Sequence, residues 1–234
     1  MSNSTFTAVL NRNELKRPAL LLALNGLALG LLLVRFQLTG TQYFLFLVWN
    51  LFLAWVPWAV GQALTFRKLP LGFQLPVLGV WMLFFPNAPY ILTDLFHLRI
   101  RSDIPQWFDL LLILTFAWAG LMWGFASLRK IQRGIFQSWN RWLAPWLSVA
   151  VLYLSAYGVY LGRYLRFNSW DLATHPEVIL EEAFRFVLQP MVHPQVLGFT
   201  LGFGSFLVVA YGIYVASEPN ERAISSQKRA IDRP

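Results

Sequence analysis

Cysteine is missing from the 234-residue chain. With it go disulfides, thiolate metal ligands, cysteine nucleophiles and covalent attachment of a c-type haem. Charge is scarce as well: Asp, Glu, Lys and Arg make up 13% of the residues, against about 25% in soluble domains. No glycine-rich phosphate loop, Gly-x-Ser-x-Gly elbow or His-Glu-x-x-His spacing occurs, so nucleotide, serine-hydrolase and zinc-peptidase chemistry have no foothold and neither a metal nor a cofactor is expected. Internal repeats and low-complexity segments are absent too.

What is abundant is apolar. Hydrophobic residues account for 57% of the chain, too many for a soluble fold of this size to cover with polar surface. The charges are bunched, leaving uncharged stretches at 18–34, 36–66, 69–93, 110–128, 142–162 and 186–217. A helix needs roughly 20 mainly apolar residues to cross about 30 Å of hydrocarbon, and these stretches meet or approach that length. The first is longer than a signal-peptide core of roughly 7–15 residues and lacks a small-x-small cleavage site, so it reads as a retained helix. The expectation is an all-α, polytopic membrane bundle occupying 1–217, with helices near 18–36, 41–65, 75–98, 107–128, 142–165 and 195–216. A disordered cytoplasmic tail, 218–234, follows.

The net charge of +8 might suggest a nucleic-acid partner, but its distribution argues for a membrane. If the N-terminus lies in the cytoplasm and the sides alternate, only Arg35, Arg99, Arg101, Arg163, Arg166 and Arg185 of the basic residues fall outside. Most acids, including Asp94, Asp109 and Asp171, fall outside, as do His97, His175 and His193. Lys and Arg resist translocation, so the asymmetry predicts both termini on the cytoplasmic side of the membrane. The basic excess is then an orientation signal with affinity for anionic lipid. Nucleic acid is not an expected partner, and the lipid bilayer is.

Among the small residues four apart in the helices are Gly26 and Gly30, Gly158 and Gly162, and Gly198 and Gly202. Such pairs let helix backbones approach closely in lipid. In the long loop before the last helix, Thr174-His175-Pro176-Glu177 has the form of a helix start. A helix near 176–188 is expected there, too short to span and amphipathic enough to lie at the interface.

The sharpest signal is in the third helix, where Phe85-Pro86-Asn87-Ala88-Pro89-Tyr90 precedes Ile91-Leu92-Thr93-Asp94-Leu95-Phe96-His97-Leu98. Two prolines three apart are expected to break or kink it, at about 16 Å from Leu75 and hence near the bilayer midplane. Asn87 is placed to cap the outer half. At about 100° per residue, Tyr90, Asp94, His97 and Arg101 share one stripe. Ionisable groups at membrane depth are costly and count as functional candidates; the rival reading is a structural ion-pair network at headgroup level. On the fifth helix, Tyr153, Tyr157, Tyr160 and Tyr164 form a ridge, either an interhelical hydrogen-bonding face or a cavity lining. Arg163, Arg166, Asn168 and Asp171 lie near its outer end.

The segment from Phe85 to Leu98, with Gly162-Arg163-Tyr164-Leu165-Arg166-Phe167-Asn168-Ser169-Trp170-Asp171, resembles a family of bacterial multi-pass membrane proteins classed as a domain of unknown function. Phe167 stands where that family is expected to carry Trp. The resemblance implies the same architecture in a bacterial cytoplasmic (inner) membrane and brings no activity with it.

These residues predict an outward-facing pocket that binds or processes an amphiphilic or anionic substrate, such as a lipid headgroup or envelope precursor. Asp94 and His97 would supply acid/base or ligating chemistry. Arg163, Arg166 and Arg101 would hold the anion, with Asn87 and Tyr90 on the floor and Asn168 and Asp171 at the rim. A transporter using the broken third helix, with Asn50 on its path, is one alternative. A non-catalytic assembly partner docking through 166–194 is the other.

Overall fold

The computed structural model describes residues 3–66, 70–99, 104–167, 174, 177, 181 and 194–218. Helix α1 runs Asn3–Thr39, α2 Phe46–Phe66, α3 Leu71–Phe84 and α4 Asn87–Tyr90, followed by a 3₁₀ segment, Ile91–His97. Helix α5, Gln106–Ile131, passes through a π-turn, Gln132–Phe136, into α6, Gln137–Trp139; α7 is Ala144–Tyr164 and α8 Pro194–Ala216. Six helical stretches are long and apolar enough to cross a membrane: Pro18–Thr39, Phe46–Thr65, Gly72–His97, Gln106–Trp139, Ala144–Tyr164 and Pro194–Ala216. The chain is a multi-pass, all-helical membrane protein with no strand among the described residues.

The spans fall where the uncharged stretches lie, with one large difference. The fourth continues helical past Leu128, through Arg129 and Arg133, to Trp139. Charge marks where the chain leaves hydrocarbon and has no power to end a helix; basic side chains are favoured at a helix C-terminus by its dipole. Of the expected interfacial helix, Glu177 and Glu181 are helical and exposed; the rest of 176–188, and the tail beyond Glu218, lie outside the described residues.

Helix α5 is the axis of the bundle. Its most apolar stretch is 67% buried, whereas the other five spans reach 17–33%. Helices α1 and α2 pack on it together with α4 and the 3₁₀ segment, while α7 packs against α4 and α8. Ser127 on α5 ties three helices in the dry centre, donating to the Pro57 carbonyl at 2.8 Å and accepting from the Trp81 indole at 2.9 Å.

Lipid is as apolar as leucine, so close packing has to hold the helices together. The glycines that allow it are not all the expected ones. A Cβ added at Gly26, Gly30, Gly198 or Gly202 would meet nothing within 4 Å among the described residues. The working pairs are Gly158 with Gly162 on α7 and Gly120 with Gly124 on α5. A Cβ at Gly158 would come 2.8 Å from Pro86, and one at Gly124 2.7 Å from the Cβ of Ala88. The third span is thus gripped from both sides by small residues. A Gly124→Leu substitution should therefore destabilise the protein by about 1–3 kcal/mol. Gly202→Ala should stay within about 0.5 kcal/mol of the parent. Thermal unfolding in detergent of the two variants side by side would measure this, and equal midpoints would contradict the packing described.

Candidate functional site

Two prolines interrupt the third span less than their chemistry suggests. Phe85 (φ −58°, ψ −37°) and Pro86 (φ −59°, ψ −23°) keep right-handed helical dihedrals. The amide of Phe85 still reaches the Trp81 carbonyl at 2.9 Å, and that of Tyr90 the Pro86 carbonyl at 3.0 Å. Proline is tolerated at the first turn of a helix because its missing N–H has no partner there, and Pro86 sits at the N-cap of α4. Asn87 does not cap that helix: its side-chain amide donates to the Phe84 carbonyl at 2.9 Å, covering an acceptor whose α-helical donor, the Ala88 amide, turns to the Phe85 carbonyl at 3.1 Å instead.

Beyond Tyr90 the chain tightens into seven residues of 3₁₀ helix, and this changes which residues line up. With about three residues per turn, side chains three apart eclipse. Tyr90, Thr93 and Phe96 consequently form one ridge, and Asp94 and His97 the next. Arg163 reads the first ridge along its length. Its guanidinium lies over the Tyr90 ring at 4.5 Å and near the Phe96 ring at 5.9 Å. Its Nε donates to Thr93 Oγ1 at 2.8 Å, and Thr93 in turn donates to the Tyr90 carbonyl at 2.6 Å. Gly162 permits this approach, since a Cβ there would meet the Tyr90 ring at 3.2 Å.

From that seat Arg163 Nη2 donates to Asp94 Oδ1 at 2.5 Å. Asn50 Nδ2, from α2, donates to Asp94 Oδ2 at 2.8 Å. Asp94 is 1% exposed, and both its oxygens are occupied by neighbours from other helices. The carboxylate therefore joins α2, the third span and α7 into one polar centre. His97 stands beside it, its Nδ1 4.0 Å from Asp94 Oδ1. The imidazole packs on Phe46 with ring centres 5.0 Å apart. Its Nδ1 is buried without a hydrogen-bond partner among the described residues, while the side chain as a whole is 41% exposed.

The structure thus brings Tyr90, Asp94, His97 and Arg163 together, and adds Asn50 and Thr93. Arg166 is exposed and ends α7 with φ 61°, where the Phe167 amide turns back to the Leu161 carbonyl at 3.2 Å. It joins no part of the Asp94 centre among the described residues. Arg101, Asn168 and Asp171 lie outside them. The tyrosine ridge of α7 is an interhelical face: Tyr153 hydrogen-bonds Ser205 at 2.9 Å, and Tyr160 and Tyr164 pack with Phe199 on α8. Thr93 is hidden from sequence reasoning because α-helical counting puts it off the stripe. Asn50 is visible there only as a lone amide in an uncharged run.

A second buried pair lies towards the same end. Arg35, 2% exposed, donates Nε to Asp109 Oδ1 at 2.7 Å and Nη2 to Oδ2 at 3.4 Å. It also donates Nη1 to Thr41 at 2.8 Å and lies over Phe44 at 4.5 Å. No group of three or more metal-ligating side chains occurs among the described residues.

The family model described as "Protein of unknown function (DUF1361)" matches residues 49–210. No curated protein and no solved structure matches the chain. The matched stretch runs from α2 into α8 and takes in Asn50, Asp94, His97 and Arg163, and on that extent the chain belongs to the DUF1361 family.

Proposed function

We infer that this protein lies in the bacterial cytoplasmic membrane with both termini inside. There it binds or processes an amphiphilic, anionic envelope or lipid-type molecule at the outward-facing Asp94 end of the bundle. Orientation rests on the charge asymmetry. The site rests on one observation: a half-exposed imidazole whose inner nitrogen, without a hydrogen-bond partner among the described residues, lies 4.0 Å from a buried, immobilised carboxylate. Catalytic hydrogen bonds are often long before a ligand arrives. Shortening the contact would make Asp94 the acceptor that orients His97, leaving Nε2 to exchange a proton with a bound headgroup or to hydrogen-bond it. Arg163 and Asn50 serve as positioning groups, because they hold the carboxylate in place.

A transport reading draws on a broken third helix; the right-handed dihedrals of Phe85 and Pro86 keep that span nearly continuous and favour the binding reading over it.

The test uses the full chain in nanodiscs with a panel of lipid phosphates, including a polyprenyl phosphate, and reads ligand-induced thermal shifts. His97→Ala should leave the ligand-free midpoint nearly unchanged, as partly exposed sites usually do, and weaken binding at least tenfold, about 1.4 kcal/mol. If His97→Ala and Asp94→Asn both keep the parental shift, the reading is wrong.

A further inference from the structure

At the far end of α5 from Asp109 lies a cavity of about 440 Å³, within the roughly 300–1,000 Å³ of small-molecule sites. Its inner wall is apolar and aromatic, formed by Leu21, Trp58, Trp123 and Tyr214. Its rim is cationic: Arg129, Lys130 and Arg133 share it with one carboxylate, Glu218. We propose that this cavity is a binding site for an anionic phospholipid of the adjacent leaflet. The phosphate would sit at the Lys130–Arg133 rim, and the start of an acyl chain would lie against Leu21 and the two tryptophans.

The charge arrangement carries the argument. Glu218 Oε2 accepts from Arg129 Nε at 2.7 Å and from Arg133 Nη2 at 2.8 Å. One carboxylate therefore fixes two guanidiniums in place without cancelling both. Lys130 has no ion pair or side-chain hydrogen bond among the described residues. The rim is also preorganised. Arg129 Nη1 donates to Gln132 Oε1 at 2.7 Å, and the same oxygen accepts from the Tyr211 hydroxyl at 2.8 Å. Gln132 opens the π-turn, a local widening that concentrates at functional sites. Gly134 within that turn lies against Thr65, where a Cβ would come within 2.7 Å, so the π-turn and the end of α2 meet closely beside the rim. Basic pockets between spanning helices, apolar below and cationic at the headgroup level, suit anionic lipid heads. A soluble anion would leave the apolar wall unused.

Native mass spectrometry of the full chain, titrated with dioleoylphosphatidylglycerol and separately with dioleoylphosphatidylcholine, tests this. The parent should bind the anionic lipid in preference. Lys130→Gln should weaken that binding about fivefold, the factor for roughly one removed surface charge. Leu21→Trp fills the cavity without touching a charge and should remove the preference while the unfolding midpoint holds. Arg141→Gln, an exposed cation outside the cavity, should behave as the parent does. The proposal is overturned by equal binding of the two lipids, by an equal loss in Arg141→Gln and Lys130→Gln, by parental binding in Leu21→Trp, or by inorganic phosphate alone displacing the lipid.

Discussion

Replacing Arg163 by Met should cost about 3–5 kcal/mol of stability, the range for removing one partner of a buried ion pair. The loss should exceed what a missing interhelical hydrogen bond explains, since such bonds in membrane proteins average only about 0.6 kcal/mol. The difference lies in what remains. Asp94, 1% exposed, would keep a single neutral donor, Asn50, for a full negative charge. Replacing the carboxylate as well, by Asp94→Leu, removes the stranded charge, and the double variant should recover most of the loss. Unfolding in mixed detergent, followed through the fluorescence of the 11 tryptophans, gives the comparison. A single variant within about 1 kcal/mol of the parent would mean that Arg163 does not hold the carboxylate. Because Arg163→Met acts on the whole bundle, His97 remains the cleaner probe of ligand chemistry.

Asp109→Leu should be equally damaging, again about 3–5 kcal/mol. Arg35 would be left with Thr39, Thr41 and the face of Phe44, none of which carries a full countercharge. Asp109→Asn keeps a hydrogen-bond acceptor at the same place and should cost less, about 1–3 kcal/mol. The pair joins α1, about one turn before its end at Thr39, to the first turn of α5, where a carboxylate also meets the positive end of the helix dipole. Guanidinium titrations of Asp109→Leu and Asp109→Asn would separate charge from hydrogen bonding; identical losses would reject the ion-pair account.

The spans are legible in the sequence because hydrocarbon excludes charge, and the positions of Asp, Glu, Lys and Arg therefore outline them directly. The pairing of Asp94 with Arg163 is legible in outline, as two polar features at one end of the bundle. Its geometry is not. Counting at the α-helical angle groups Tyr90 with Asp94, whereas the 3₁₀ segment groups Tyr90 with Thr93 and Phe96. No local sequence signal distinguishes the two windings, because contacts with α5 and α7 select between them. Arg35 and Asp109 stand in the sequence as charges at the outer ends of two helices: 74 residues separate them, and only the fold places one against the other. The glycines make the same point. Gly120 and Gly124 have the same spacing as Gly26 and Gly30 or Gly198 and Gly202, yet only the first pair meets neighbours, because α5 is the buried axis. Spacing identifies a possible seam, and burial decides whether a neighbour fills it.

The winding of Ile91–His97 also sets how far the imidazole reaches. A 3₁₀ helix rises about 2.0 Å per residue against about 1.5 Å for an α-helix, so these seven residues extend about 3.5 Å more than the α form would. Rewinding them would draw His97 back by that distance towards Tyr90 and swing it about a sixth of a circle off the line of Asp94. The meeting of imidazole and carboxylate therefore depends on the pitch of the backbone beneath them, and a substitution that favours the wider coil would misalign them while leaving every polar side chain in the chain intact.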